Sequence, residues 1–135
     1  MSNLPIFDVA GSAMQAQSVR LNTVASNLAN ANTVAGTPEG AYRAKQPVFA
    51  AEAIPNNQAL AGVRVTEVRE STAEAVKRYD PGNPLADAQG YVYAPDVDPV
   101  AQMVDMISAS RSYQANVEVF NSAKELAVAT LNMGR

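Results

Sequence analysis

Near the start of the chain, mostly apolar residues recur at Phe7, Ala10, Met14, Gln17, Leu21, Val24, Leu28 and Ala31, with spacings alternating between three and four. A second series near the end does the same: Met103, Met106, Ser110, Tyr113, Val117, Phe120, Lys124, Ala127 and Leu131. This alternation puts each set on one stripe of a helix, the seam geometry of paired helices. The pattern therefore predicts two long terminal helices that pack on each other as a coiled coil.

Proline fixes where those helices end. None occurs between Ile6 and Thr37 or between Val100 and Arg135, whereas Pro38, Pro47, Pro55, Pro81, Pro84 and Pro95 punctuate the middle. Each removes an amide donor and clashes with the preceding turn, so the middle cannot be helical. The first helix is expected from about Pro5 to about Asn30, roughly 39 Å long. Pro5 suits its first position, where a missing N–H costs nothing. The second is expected to start at Pro99 with Asp98 as its N-cap and to stop at Gly134. Between them, Val63 to Val68 has an imperfect period of two. Tyr42 to Ala53, Ala73 to Tyr79 and Tyr91 to Tyr93 are further strand candidates. Asp80-Pro81-Gly82-Asn83-Pro84 reads as a turn, with Gly82 free to take positive φ. Tyr91 and Tyr93 fall on one strand face and are expected to pack against the helices. The fold class is mainly α with a small β part. It divides into an N-terminal helical segment (1–33), a central β and loop segment (34–98) and a C-terminal helical segment (99–135).

Composition narrows the core. Of 135 residues 47% are hydrophobic, yet there are only three Phe and no Trp. Alanine supplies much of the rest, which suits narrow seams between close helices better than one large core. There is no stretch of about 18 apolar residues to span a membrane. Met1 to Ala10 lacks the basic and long apolar regions of a cleaved signal peptide.

Charge changes the picture of the first helix. From Met1 to Pro38 the only ionisable side chains are Asp8 and Arg20, although a water-exposed helix is usually richly charged on its outer face. Its polar residues, among them Ser18, Asn22, Ser26, Asn27 and Asn30, are short and uncharged. Such a helix is marginal alone in water, and its composition fits one surrounded by protein on most sides. The second helix carries Asp105, Glu118 and Glu125 against Arg111, Lys124 and Arg135, and is expected to keep a solvated or ion-paired face. The net charge of −3 offers no basic patch for nucleic acid.

Candidate chemistry is sparse. With no His and no Cys, the commonest metal ligand, general base and thiolate nucleophile are all missing. Asp80, Asp87, Asp96 and Asp98 do not follow a calcium-loop spacing. They are expected to shape turns, cap a helix or sit in solvent. Glu67, Glu70 and Glu74 alternate with Arg64, Arg69, Lys77 and Arg78, as cross-strand ion pairs would. No nucleophile elbow or phosphate-binding loop occurs. No catalytic, cofactor-binding or metal-binding residue is assigned, and no small-molecule substrate is expected.

Several stretches resemble a known family. Leu21-Asn22-Thr23-Val24-Ala25-Ser26-Asn27-Leu28-Ala29-Asn30-Ala31-Asn32-Thr33 looks like the N-terminal signature of the bacterial flagellar rod and hook proteins, and Ser112-Tyr113-Gln114-Ala115-Asn116 with Leu131-Asn132 resembles the C-terminal one. Tyr79 to Val92, Ile6 to Ala13 and Tyr42 to Phe49 resemble the short proximal-rod type of that family. One departure is the insertion of Val34 to Gly40 before Tyr42. The resemblance implies a structural subunit of the flagellar basal-body rod, assembled helically around the export channel. It also implies export through the flagellar type III apparatus without a cleaved signal, and a place in the periplasmic part of the rod. Implied partners are copies of itself, other rod proteins and the rod-to-ring adaptor at the base. The assembly interface is then expected at Phe7, Met14, Leu21, Val24, Leu28, Met106, Val117, Phe120 and Leu131 along the seams. To these are added the polar or signature residues Asn22, Asn27, Asn30, Tyr113, Gln114 and Asn116. Two other readings stay open from the residues: a soluble coiled-coil adaptor, and a carboxylate-based cation-binding protein.

Overall fold

The computed structural model describes residues 5–54 and 57–134. Helix α1 is Pro5–Asn30, strands β1 and β2 are Lys45–Ile54 and Asn57–Glu70, β3 and β4 are Val76–Tyr79 and Tyr91–Ala94, and helix α2 is Pro99–Met133. The protein is thus mainly α with two small antiparallel sheets. The helix starts follow the local chemistry. Pro5 opens α1, and Asp98, in an extended conformation, accepts a hydrogen bond from the Val100 amide at 2.9 Å ahead of Pro99.

The helices run antiparallel along each other. Phe7 meets Phe120 edge-on at 4.8 Å between ring centroids, Arg20 reaches Asp105 at 2.8 Å, and Asn27 reaches Gln102 at 3.0 Å. Partner numbers fall as α1 numbers rise. The interior is narrow: Ala10, Ala16, Val24 and Ala31 are buried on the α1 side, Ala109 on α2, and among the described residues Val92 is the one large side chain fully buried.

On α1 every position of the expected seam is at least partly buried. On α2 the seam turns away from the expected line. Met106, Val117, Phe120 and Ala127 lie on it, but Met103, Tyr113, Lys124 and Leu131 are exposed, and the buried position is Ala109. A strict 3.5-residue repeat drifts by about 20° per heptad on a straight helix. The expected line and the contact therefore part along α2, at Tyr113 as well as at Met103 and Leu131. Leu131 also lies well past Phe120, the residue that meets the start of α1.

Strands β1 and β2 form a hairpin with Phe49 opposite Val65, Ala51 opposite Val63 and Ala53 opposite Ala61. The register shifts between Val48 and Phe49. There Thr66 is the extra residue, and its hydroxyl donates to the Val48 carbonyl at 3.1 Å. The hairpin lies on α1. Gly62 makes this possible, because a Cβ there would sit 2.9 Å from Ser12 Oγ. That oxygen accepts from the Val63 amide and donates to the Val9 carbonyl.

The second hairpin, β3 with β4, is separate. It is tied to the inserted loop by a two-way backbone pair between Ala35 and Tyr93, at 2.8 and 2.9 Å. The Asp80 turn forms, with the Asn83 amide on the Asp80 carbonyl. The left-handed residue among the described glycines is Gly90 (φ 83), however, and not Gly82. At Gly90 a Cβ would press on the Tyr79 ring and Pro81 at 3.0 and 3.1 Å, so the closing of this loop needs glycine.

Tyr91 and Tyr93 do not pack on the helices as expected. Tyr91 stacks edge-on to Tyr79 at 5.3 Å with the Lys77 ammonium 4.2 Å from its centroid. Tyr93 donates to Asp87. Both rings are held by their own hairpin and its connecting loop, Tyr91 by its cross-strand partner Tyr79 and Tyr93 by Asp87.

Candidate assembly surface and the Asn27 junction

Asn27 is the most constrained polar side chain of the fold. It is 2% exposed. Its amide donates to the Lys45 carbonyl at 2.9 Å and to Gln102 Oε1 at 3.0 Å. Its carbonyl oxygen accepts from the Lys45 amide at 2.8 Å and from the Tyr42 hydroxyl at 3.0 Å. Two donors and two acceptor positions are all used. Asn27 takes both backbone groups of Lys45 as a neighbouring strand would, so it is a one-residue edge for the start of β1. The same side chain joins α1, the hairpin and α2. Ser26 lies 2.9 Å from the Tyr42 hydroxyl and completes the cluster.

The other residues expected at the interface divide by exposure. Asn22, Tyr113, Gln114 and Leu131 are exposed. Phe7, Met14, Leu21, Leu28, Met106, Val117 and Phe120 are partly covered, and Val24 is buried. Asn30 and Asn116 donate to carbonyls one turn back in their own helices, at 2.8 and 2.7 Å. Asn27 itself is directed inward. The buried Gln17 Oε1 has no hydrogen-bond partner.

The acids serve local structure. Asp98 caps α2, and Asp87 accepts from the amides of Tyr91 and Gln89 at 2.9 Å each and from the Tyr93 hydroxyl. The Tyr91 amide, above all, holds the Asp87 carboxyl below its ordinary value, with smaller help from Gln89, Tyr93 and the Lys77 charge. Glu52 pairs with Arg64 across the hairpin, while Glu67 pairs with Arg69 along one strand. These exposed pairs contribute little stability.

The outer side of α2 carries more than the expected charge. Arg111, Glu118, Lys124 and Glu125 are exposed, as a solvated face requires. Beside them Val100, Val104, Ile107 and Leu126 are 67%, 61%, 56% and 70% exposed. Among the described residues no element other than α1 packs on this helix, so α2 carries apolar residues on its covered side and, interspersed with charges, on its open one. A second series in the sequence, Val100, Val104, Ile107, Arg111 and Ala115, carries that signal at helical spacing. Contiguous exposed apolar surface of this kind marks a contact site. No described helix is long and apolar enough to cross a membrane.

Two family descriptions match the chain, each on one helix. "Flagella basal body rod protein" matches residues 7–36, and "Flagellar basal body rod FlgEFG protein C-terminal" matches residues 88–133. The chain is 56% identical over 135 residues to the flagellar basal-body rod protein FlgC of Salmonella typhimurium, with 100% of both chains covered. The chain belongs to the flagellar basal-body rod protein family. The FlgC of Yersinia enterocolitica is 55% identical over the same full span. That of Aquifex aeolicus is 45% identical over 121 residues, covering 88% of this chain and 87% of its own. Family membership makes the chain a structural rod subunit and accounts for a molecule whose polar side chains hold loops and helices together. The matched ranges take in α1, β4 and α2, and leave out the β1–β2 hairpin.

Proposed function

We propose that this chain is a subunit of the proximal rod, assembling helically around the export channel through its two helices. The observation that carries the reading is that α2 has apolar residues on both sides, with Val100, Val104, Ile107 and Leu126 left exposed. One side is covered by α1, and the other is left for a neighbour in the assembly. Helices α1 and α2 work as a coiled-coil pair, and the hairpins of the central segment form the outer layer. The partners are copies of the chain, other rod proteins, the rod-to-ring adaptor at the base and the type III export apparatus. Its place is the rod as it crosses the periplasmic space, reached without a cleaved signal. The absence of cysteine agrees with passage as an unfolded chain, since no disulfide has to be broken first.

Deleting the encoding gene and restoring it with a tagged copy tests the reading. The deletion is expected to abolish flagella, and the tagged protein to fractionate with basal bodies. Normal flagella in the deletion strain would overturn it and favour the soluble adaptor.

A further inference from the structure

Assembly leaves open which surfaces meet. We infer that the outward face of α2 is seated on the outward face of α1 in a second copy of this chain, with Arg111 of one copy paired to Asp8 of the other. The inference rests on the rod-subunit reading above and adds the contact itself.

The charges lead to it. On α1 the charged residues are Asp8 and Arg20, and between Val100 and Ala115 on α2 they are Asp105 and Arg111. Arg20 and Asp105 neutralise each other inside the chain at 2.8 Å. That leaves one acid on α1 and one base on the first half of α2. Both are exposed, and neither has an ion-pair or hydrogen-bond partner among the described residues. On the same line of α2 the next charge is Glu118, two turns beyond Arg111, so within the first half of the face the pair stands alone, and opposite charges so placed fix register more than they add affinity.

Gly11 is an independent observation. It lies inside α1, where glycine is a poorer choice than alanine. A Cβ built there meets nothing within 4 Å, so the fold of one chain does not require the glycine. It lies three residues beyond Asp8 on the line Asp8, Gly11, Gln15, Ser18, Asn22, whose spacings alternate between three and four. This line of short, mostly uncharged side chains is open to solvent except at Gly11, which is partly covered. It can admit a helix that presents Val100, Val104 and Ile107. Two different faces of one chain then meet, which is a heterologous contact that propagates and does not close on itself.

Charge exchange tests the pair in a strain lacking the gene. Asp8→Arg and Arg111→Asp, each alone, are expected to lose basal-body-associated protein several-fold, while the purified chains keep wild-type helicity. The double exchange is expected to restore most of it. Because the chain has no cysteine, a mixture of Asp8→Cys and Arg111→Cys copies should give disulfide-linked dimers of this chain in oxidised basal bodies. A double exchange no better than the singles would overturn the inference, as would cross-linking of Arg111→Cys to a different rod protein. Wild-type chain that never enters basal bodies would instead sink the rod reading, so the two failures are distinguishable.

Discussion

Replacing Asn27 by alanine is expected to lower the stability of the isolated chain by about 3 kcal/mol. The substitution removes little apolar area, so the loss is one of hydrogen bonding. It strands the Lys45 amide and carbonyl and the Gln102 side chain at a buried junction, while the Tyr42 hydroxyl keeps Ser26. Each stranded buried group costs roughly 1–3 kcal/mol, less whatever water or a shifted neighbour restores. Asn27→Asp is expected to cost as much. It keeps the acceptors but loses both donors, and it puts a charge at a site where only 2% of the residue is exposed. Urea unfolding measures both, as a lower midpoint with an unchanged slope. A loss below about 1 kcal/mol, within the net value of one ordinary hydrogen bond, would mean that the junction does not hold the hairpin to the helices.

Ala109→Asp should be at least as damaging, at about 4 kcal/mol, and should abolish motility. Ala109 has no exposed surface, and among the described residues α1 is the only element packed on α2. A larger side chain there forces the helices apart, which alone costs about 1–3 kcal/mol. The carboxylate adds an unpaired buried charge beside Asp105, one turn earlier on the same helix, which repels it. Stabilities of 5–15 kcal/mol are typical of domains, so a loss of this size removes much of the folded population. Ala109→Leu, with the packing clash but no charge, should fall between this variant and wild type. Circular dichroism during thermal unfolding and swimming in soft agar read the two effects. A stable and motile Ala109→Asp strain would refute a tight seam at that residue.

These two residues mark where sequence reading succeeds and where it stops. Helix ends are local matters. Pro5, Asp98 and Pro99 act through their own backbone and immediate neighbours, so α1 and the start of α2 were legible. Asn27 was not. Its partners lie 15, 18 and 75 residues away, and the Ser/Asn pattern around it points outward as readily as inward. Ala109 falls outside the three-and-four line, which runs through the adjacent Ser110, and closely approaching helices bury small residues that carry no strong hydrophobic signal. The same line hid the outer face of α2. Met103, Val104 and Ile107 were read as seam or left unassigned when their exposure makes them surface. The hairpin's alternation was visible at Val63 to Val68, but its bulge at Thr66 depends on pairing across the turn and could not be read from one strand.

The most direct test of the account asks whether the outer face of α2 becomes buried on assembly. A Val104→Cys chain, with Val24→Cys as the internal control, can be labelled with a thiol reagent free and in purified basal bodies, without interference from native cysteines. The account predicts that position 104 labels readily in the free chain and is protected in basal bodies, while position 24 is protected in both. Equal labelling of position 104 in the two states would contradict it, because the exposed apolar face of α2 would then have no neighbour to meet.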